Sequence, residues 1–302
     1  MKKKIDTLLT LVIIVVLLPL FVTIICQRMQ LEQIIYGELE TKCVKQQSTE
    51  DIEAQVIGIV AKEISIDAEE QAILAQCVIA RTNLYDALAH HADKPAGLTA
   101  DEMETLWGED FDKIYERYEE CVAQTKDEVL MWDGDYIYAA YHAISAGRTR
   151  DMKELFEEIK MPYLTEQECQ SDTTAEGYLA VTYCAKEDFL KMCQDAFPEA
   201  GLSDLSQIEV HSRDTAGYVG EIKVGNENYF GEEFRSRLGW NSACFTITEI
   251  DGKVRIVTKG LGHGFGLSQN EAAHMAARGA SYKEILEYFF PQTELVAAES
   301  GK

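Results

Sequence analysis

Alternating glycines and three polar side chains share one short segment near the C-terminal end of the chain. Glycine occupies every second position from Gly260 to Gly266, among His263, Ser268 and Gln269. This spacing supports neither a stable helix nor a packed strand, so we expect a loop whose backbone can approach a ligand closely. The pattern is not a dinucleotide fingerprint, and no Gly-Lys-Ser/Thr follows that would make it a P-loop. A tight β-turn and a binding loop both stay open at this point.

A second glycine-containing segment holds His142, Ser145 and Gly147, directly after a predicted hairpin strand. A serine–histidine pair is compatible with a hydrolase, but the Gly-x-Ser-x-Gly nucleophile elbow is absent. Histidines at strand ends are more often structural groups that hydrogen-bond the backbone. The segment therefore argues against a serine nucleophile.

The sequence gives little support to metal chemistry. It contains no His-Glu-x-x-His motif, and the adjacent His90 and His91 would point to different sides of a helix. Its eight cysteines include no C-x-x-C pair and no zinc-ligand spacing, and no disulfide pairing can be assigned. We therefore expect no metal and no cofactor.

Glu63 is a candidate general acid because it lies among apolar residues, with Val60 and Ile64 close by. A partly buried carboxyl group in such surroundings can donate a proton near neutral pH. The alternative is an ordinary solvated glutamate, in a chain that carries 52 Asp and Glu residues. Local sequence does not decide between the two.

The elements around Glu63 can be predicted from hydrophobic patterning. The apolar run 56–60 predicts a strand and 61–66 a loop, and Asp67 with Glu70 resembles a capping box. A helix is expected over 68–90, with one apolar stripe facing the core.

Later elements alternate between helices and antiparallel hairpins, which predicts the α+β class. Capping residues, glycine stops and turn dipeptides give the following bounds. Helices are expected over 101–108, 111–126 and 270–278 and from Ser281 to about Pro291, strands over 208–211 and 218–224, and hairpins over 129–141 and 244–259. Residues 150–206 show no clear pattern.

The N-terminal segment has the features of a membrane anchor. Three lysines precede an uncharged run, residues 8–26, which is long enough to cross a bilayer as a helix. The lysines favour a cytoplasmic N-terminus and an extracytoplasmic remainder, attached to the cell membrane by a single span. A cleaved signal peptide is the alternative, although no convincing small-x-small cleavage site follows the run.

The net charge of the chain excludes one class of partner. The chain of 302 residues has a formal net charge of -24, with 46% hydrophobic residues. A strongly acidic chain repels nucleic-acid backbones, so no nucleic-acid partner is expected.

Three segments together resemble the stage II sporulation protein D family, which is related to amidase-enhancer proteins. Residues 60–63 (VAKE) and 70–82 (EQAILAQCVIART) are similar to the family's glutamate loop and its following helix. Residues 141–149 (YHAISAGRT) are similar to its YHSTSGGxT segment, and 260–269 (GLGHGFGLSQ) to its GxGHGVGLSQ segment. Residues 237–245 (RLGWNSACF) resemble a fourth family segment.

The resemblance covers about residues 52–292 in the family's order and suggests a division of the chain. We expect a cytoplasmic lysine stub and transmembrane anchor, a stalk, a catalytic domain and a short tail. Their bounds are 1–27, 28–50, 51–292 and 293–302, with 150–240 as a candidate separate lobe of the catalytic domain. The expected fold is thus a single N-terminal transmembrane helix followed by a mixed helix and antiparallel-sheet extracytoplasmic domain.

The resemblance implies a lytic transglycosylase of peptidoglycan, acting in engulfment during sporulation. Such an enzyme cuts the bond between N-acetylmuramic acid and N-acetylglucosamine in peptide-stripped glycan strands and leaves 1,6-anhydromuramic ends. It further implies two partners, stage II sporulation proteins P, an amidase, and M. A non-catalytic peptidoglycan-binding scaffold, or an amidase enhancer, is the alternative.

The family's catalytic glutamate corresponds to Glu63, with no metal. Residues of the three segments are implied to line the cleft and bind sugar. They are Arg81, His142, Ser145, Gly147, His263, Gly264, Ser268 and Gln269. Arg81 could equally be a buried residue that holds the glutamate loop.

Two departures from the family pattern leave room for the scaffold alternative. Asn270 and Glu271 stand where the family usually has an aromatic residue and a glycine, which could alter the turn into the next helix.

Overall fold

A computed structural model describes residues 49–298 except 157 and 159. The expected membrane span at 8–26, the stalk up to residue 48 and residues 299–302 lie outside the described residues. Within the described part, no helix is long and apolar enough to cross a membrane. Nearly all of these residues fall in one compact unit, Glu53–Ala298.

Helices and short strands are mixed along the chain, which confirms the α+β class. The α-helices are α1 (Thr49–Glu63), α2 (Glu70–Ala89), α3 (Ala100–Trp107), α4 (Phe111–Gln124), α5 (Met152–Leu155), α6 (Lys186–Ala196), α7 (Gly231–Arg237), α8 (Gln269–Ala277) and α9 (Tyr282–Phe289). The strands are β1 (Glu128–Trp132), β2 (Asp135–Tyr136), β3 (Tyr141–His142), β4 (Leu179–Ala185), β5 (Ile208–Val210), β6 (Glu221–Val224), β7 (Glu227–Phe230), β8 (Phe245–Ile250), β9 (Lys253–Lys259), β10 (Leu267–Ser268) and β11 (Glu294–Ala297).

The strands between residues 49 and 298 form three antiparallel sheets and one parallel strand pair. The antiparallel sheets have the orders β11-β1-β2, β4-β9-β8 and β5-β6-β7, and β3 pairs with β10 in parallel. The predicted turns at Asp133 and Asp251 are confirmed, and both aspartates have positive φ. The capping box of Ser281 and Glu284 is also confirmed.

Helix α2 is the centre of the first core. It packs against β1, α4, α8 and α9. Most of its residues are therefore buried, not only the single stripe that the sequence predicts, and Cys77 is among them. Side chains from several elements complete this core, including Leu130, Leu286 and Phe289.

The apolar run 56–60 is part of helix α1, so the predicted strand is wrong. A short run of buried apolar residues has no period that separates a strand from a helix enclosed on several sides. Here Val56 and Val60 are fully buried. Close packing also constrains the run, because a Cβ on Gly58 would lie 2.4 Å from the carbonyl oxygen of Leu98.

The start of α2 also differs from its prediction. Its N-cap is Glu69, which makes no side-chain capping bond, so Asp67 and Glu70 do not form a capping box. The backbone N–H of Asp67 instead donates to Ser65 Oγ at 3.3 Å within the loop.

A second core lies behind the sheet β4-β9-β8. Phe189 and Cys193 of α6 pack there with Val254 and Ile256 of β9. Strand β4 was not predicted, because its alternate residues are exposed on one face and only partly covered on the other.

Arg81 joins α1 to α2 through a buried ion pair. Its side chain is fully buried, and its Nε and Nη2 donate to the two carboxylate oxygens of Glu53 at 2.7 and 2.6 Å. Its Nη1 also donates to the carbonyl of Glu128 at 3.2 Å. The guanidinium is therefore enclosed by protein acceptors.

Replacing Glu53 with alanine leaves the charge of Arg81 buried and uncompensated. We expect Glu53→Ala to lower the free energy of unfolding by about 3 kcal/mol. The exposed Glu116→Ala is the matched control and should change it by less than about 0.5 kcal/mol. Urea unfolding of both variants measures this, and equal small losses would contradict a structural role for the pair.

Candidate active site

The two glycine-containing segments lie side by side. Tyr141 and His142 of β3 pair with Leu267 and Ser268 of β10. Further along, Ile144 and Leu261 exchange two backbone hydrogen bonds of 3.1 and 2.7 Å. Segments more than 100 residues apart in sequence thus form one unit of paired backbone, here called the paired loops (141–149 and 260–269).

The alternating glycines make this pairing possible. Gly262 has φ of 118°, and a Cβ there would lie 2.6 Å from the Cβ of His142. Gly264 has φ of 85°, and a Cβ there would meet the ring of Tyr218 at 2.5 Å. The close approaches are therefore to the protein itself, which favours the tight-turn interpretation of this segment.

Glu63 ends α1 beside the paired loops. Its backbone oxygen accepts a hydrogen bond of 3.0 Å from Gln269 Nε2, which also donates to Gln76 Oε1 at 3.3 Å. Burial, and next to it the neighbouring Glu63 carboxylate, raises the pKa of the Tyr141 phenol. Tyr141 therefore stays protonated beside the Glu63 carboxyl group.

Two histidines of the paired loops, His142 and His263, lie close to each other. The rings of His142 and His263 are 5.7 Å apart. His142 Nδ1 donates to the carbonyl of Phe265 at 3.0 Å, so the neutral ring has its lone pair on Nε2. That Nε2 is buried without a hydrogen-bond partner among the described residues.

Both histidines are held neutral. Burial, and next to it His263, lowers the pKa of His142 from 6.5 to about 3. Burial likewise lowers the pKa of His263, whose Nδ1 accepts the N–H of Phe265 at 3.1 Å. Neutral rings with defined tautomers suit hydrogen bonding to uncharged hydroxyl groups.

A buried carboxylate that the sequence did not reveal fixes both paired loops. Asp172 is fully buried, and its Oδ2 accepts the N–H of Ser145 at 2.7 Å and the hydroxyl of Ser268 at 2.8 Å. Its Oδ1 accepts Asn270 Nδ2 at 2.9 Å. Burial raises the pKa of Asp172 against the opposing effect of these hydrogen bonds.

Ser145 and Ser268 consequently serve the fold of the loops. Both are fully buried. Ser145 Oγ accepts the N–H of Gly147 at 3.1 Å, and Ser268 Oγ accepts the N–H of Glu271 at 3.3 Å as the N-cap of α8. Gly147 has φ of 107° and packs against Thr173.

The two departures from the family pattern are built into the same network. Asn270 binds Asp172, as described. Glu271 accepts the N–H of Ser171 at 2.9 Å and pairs with Arg278 at 2.8 Å. They complete the turn into α8 rather than disturb it.

Arg150 contacts the loop of residues 260–269 on its buried side. Its guanidinium lies 4.7 Å from the ring centres of both Tyr218 and Phe265. It pairs with Asp214 at 2.6 Å and donates to the carbonyl of His263 at 3.3 Å. No motif in the sequence indicated this residue, because its partners are distant in the chain.

The structure thus brings most, but not all, of the predicted site residues together. Tyr141, which the sequence analysis did not select, belongs with them. Glu63, His142, His263 and Gln269 gather at the paired loops, whereas Ser145 and Ser268 lie beneath them. Arg81 instead contacts Glu53 and the α4–β1 connection. No group of three His, Cys, Asp or Glu residues in the described ranges is arranged to hold a metal.

Asp172 and Asn270 offer a donor–acceptor swap that tests the loop network. Asp172→Asn sets an amide against the Asn270 amide and should lower the free energy of unfolding by about 2 kcal/mol. Adding Asn270→Asp restores one donor facing one acceptor and should recover much of that loss. Urea unfolding of the two single variants and the double variant gives the coupling, and additive losses would contradict the network.

The neutral state of His142 predicts a pH effect on stability. Between pH 7 and 5 the unfolded chain binds a proton at His142, whereas the folded chain does so only near pH 3. Wild type should therefore lose about 2 kcal/mol more than His142→Asn over this range, because stability falls as pH drops below the unfolded pKa. Urea unfolding at both pH values tests this, and identical losses would contradict it.

Comparison with known proteins bears out the family resemblance. The SpoIID family, described as Stage II sporulation protein, matches residues 40–132. Stage II sporulation protein D of Bacillus amyloliquefaciens is 27% identical over 263 residues, covering 82% of this chain and 75% of that protein. Its counterpart in Bacillus subtilis (strain 168) is 26% identical over 84% of this chain and 77% of its own length.

A third relative carries a different description. The amidase enhancer of Bacillus subtilis (strain 168) is 24% identical over 80% of this chain and 40% of its own length. Taken together, residues 40–132 match the SpoIID family model, and the chain is similar to stage II sporulation protein D over most of its length.

Proposed function

We propose that the protein is a lytic transglycosylase that cleaves peptidoglycan glycan strands. The observation that carries the proposal is the position of Glu63 at the end of α1. Its backbone oxygen accepts a hydrogen bond from Gln269 of the paired loops, and its carboxylate lies beside the Tyr141 phenol. One carboxyl group beside neutral side chains that can hydrogen-bond a sugar is what this reaction requires. The similarity to stage II sporulation protein D, a relative that acts in sporulation by its name, also supports the proposal.

The chemistry needs one group that acts first as acid and then as base. Glu63 protonates the glycosidic oxygen that leaves C1 of the muramyl residue. The resulting carboxylate then takes the proton of the muramyl 6-hydroxyl while O6 bonds to C1, which closes the 1,6-anhydro ring. No water is consumed, so the second carboxylate of ordinary glycosidases is dispensable.

Among the remaining predicted residues, we assign sugar binding to three. The unpartnered Nε2 of His142 can accept a hydrogen bond from a sugar hydroxyl group. The His263 ring lies 5.7 Å from the His142 ring, and Gln269 is bonded to the backbone of Glu63. Gly147 and Gly264 shape the loops around the substrate. The contacts of Arg81, Ser145 and Ser268 favour positioning roles.

The proposal places the protein in the cell envelope of a sporulating cell. A single span at residues 8–26 would anchor it, with the catalytic domain outside the membrane. An amidase such as stage II sporulation protein P would supply peptide-stripped strands, and protein M would be a membrane partner during engulfment. Recovery of the chain from membranes, with its domain accessible to external protease, tests this topology.

A second candidate function is enhancement of an amidase without catalysis. The relative described as an amidase enhancer favours it. In that case the paired loops bind glycan, and Glu63 serves no chemical step.

Replacement of Glu63 separates the two functions. The full chain in detergent should convert peptide-free strands to products about 18 Da lighter than hydrolysis products. Mass spectrometry of the products measures this difference. Glu63→Gln should slow this by at least about 100-fold while retaining binding. Glu69→Gln, an exposed glutamate whose side chain caps nothing, is the control.

Unchanged cleavage in Glu63→Gln would contradict the assigned acid. Binding without any cleavage by the wild type would favour the enhancer.

A further inference from the structure

One face of the sheet β4-β9-β8 is uncovered among the described residues. The other face packs on α6, where Cys184, Val254 and Ile256 point inward. The strand register places the remaining alternate residues together on the outer side. This open face consists of Leu179, Val181, Tyr183, Ala185, Thr246, Thr248, Ile250, Lys253, Arg255, Val257 and Lys259.

The open face differs in charge from the rest of the protein. It carries three cations and no carboxylate, in a chain with 52 Asp and Glu against 28 Lys and Arg. Lys253, Arg255 and Lys259 form no ion pair with any described residue. The Nε of Arg255 is buried and lacks a hydrogen-bond partner in the described part. A cationic row of this kind is a ready site for an anion.

Apolar and hydroxyl rows flank the cations. On β4, Leu179, Val181 and Tyr183 are 56%, 43% and 57% exposed, although each is large and apolar. On β8, two exposed threonines and Ile250 form the opposite row. Contiguous exposed apolar side chains of this size commonly mark a binding surface.

The open face adjoins the candidate active site. Lys259 is followed directly by Gly260 of the paired loops, and the N–H of Gly260 donates to the carbonyl of Tyr178 at 2.7 Å, next to Leu179. Tyr178 Oη donates to the carbonyl of Ala146 in the other loop at 3.3 Å. From there the row of β9 extends for about 20 Å.

We propose that the open face binds the continuing glycan strand through its lactyl carboxylates. This inference rests on the proposed function. Removal of a stem peptide at its amide bond leaves one lactyl carboxylate on each muramyl residue, so a stripped strand is an anionic polymer. Tyr183 supplies a ring for stacking on a sugar, and Arg255 can pair with a carboxylate through two parallel hydrogen bonds.

The positive charge of the open face would offset the repulsion between the acidic protein and its anionic substrate. A protein of net charge -24 repels a polyanionic strand unless the contact surface is locally positive. Carboxylates that bind along β9 would hold the strand beside the paired loops while Glu63 acts on one bond. Longer strands should therefore bind more tightly than short ones.

Neutralising the cationic row tests the inference. Lys253→Gln, Arg255→Gln and Lys259→Gln are combined in the full chain that also carries Glu63→Gln, so that strands remain intact. Three probes are used. The first is long peptide-free glycan strands from which other cell-wall polymers have been removed. The second is the same strands with their lactyl carboxyl groups reduced to alcohols, and the third is a peptide-free glycan tetrasaccharide. A matched triple change of exposed lysines, Lys113→Gln, Lys160→Gln and Lys191→Gln, is the control.

The expected result is a loss of about tenfold in affinity for long carboxylated strands, with tetrasaccharide binding unchanged. Wild-type affinity should also fall with salt and with carboxyl reduction. Equal affinity of the two triple variants contradicts the inference, and so does an equal loss on reduced strands. If the three cations are needed for binding to phosphatidylglycerol vesicles but not to glycan strands, the inference is contradicted and the face is a membrane contact.

Failure of this inference is distinguishable from failure of the proposed function. Binding is read in a chain that does not need to cleave, whereas Glu63-dependent cleavage by the wild type is read separately.

Discussion

The arrangement of the candidate site depends on one buried carboxylate. Asp172 accepts hydrogen bonds from Ser145, Ser268 and Asn270, and so ties together backbone segments that are far apart in sequence. A buried carboxylate with unsatisfied oxygens would be costly, which means that the two loops must adopt this one arrangement to supply its donors. The positions of His142, His263 and Gln269 follow from that arrangement. Glu63 joins them through its backbone oxygen, which accepts a hydrogen bond from Gln269, and its carboxylate lies beside Tyr141.

The network also explains how a chain can depart from a family pattern and keep the geometry. Asn270 donates to Asp172, and Glu271 accepts the N–H of Ser171 in the segment that carries Asp172. Both departures therefore act on the same buried group. Positions that look divergent along the chain form part of one network in space.

Sequence reasoning succeeded where local patterns determine the outcome. The hairpin around Asp133, the cap of α9 at Ser281 and the gathering of motif residues all follow from turn and capping chemistry or from motif recognition. It failed for 56–60, because a buried apolar run has the same appearance in a helix and a strand. Asp172 and Arg150 could not be found, since their importance comes from partners brought near only by the fold. The alternating glycines were recognised as unusual, but the close approaches of Gly262 to His142 and of Gly264 to Tyr218 arise only in the fold.

The central claim is that a single carboxyl group, Glu63, closes an anhydro ring without water. Reaction of the full chain with peptide-free glycan strands in water enriched in oxygen-18 tests this claim most directly. If Glu63 acts in this way, the new muramyl ends contain no oxygen-18, because O6 of the sugar itself bonds to C1. Incorporation of one labelled oxygen at each new end would show that water attacks C1, and would contradict the account.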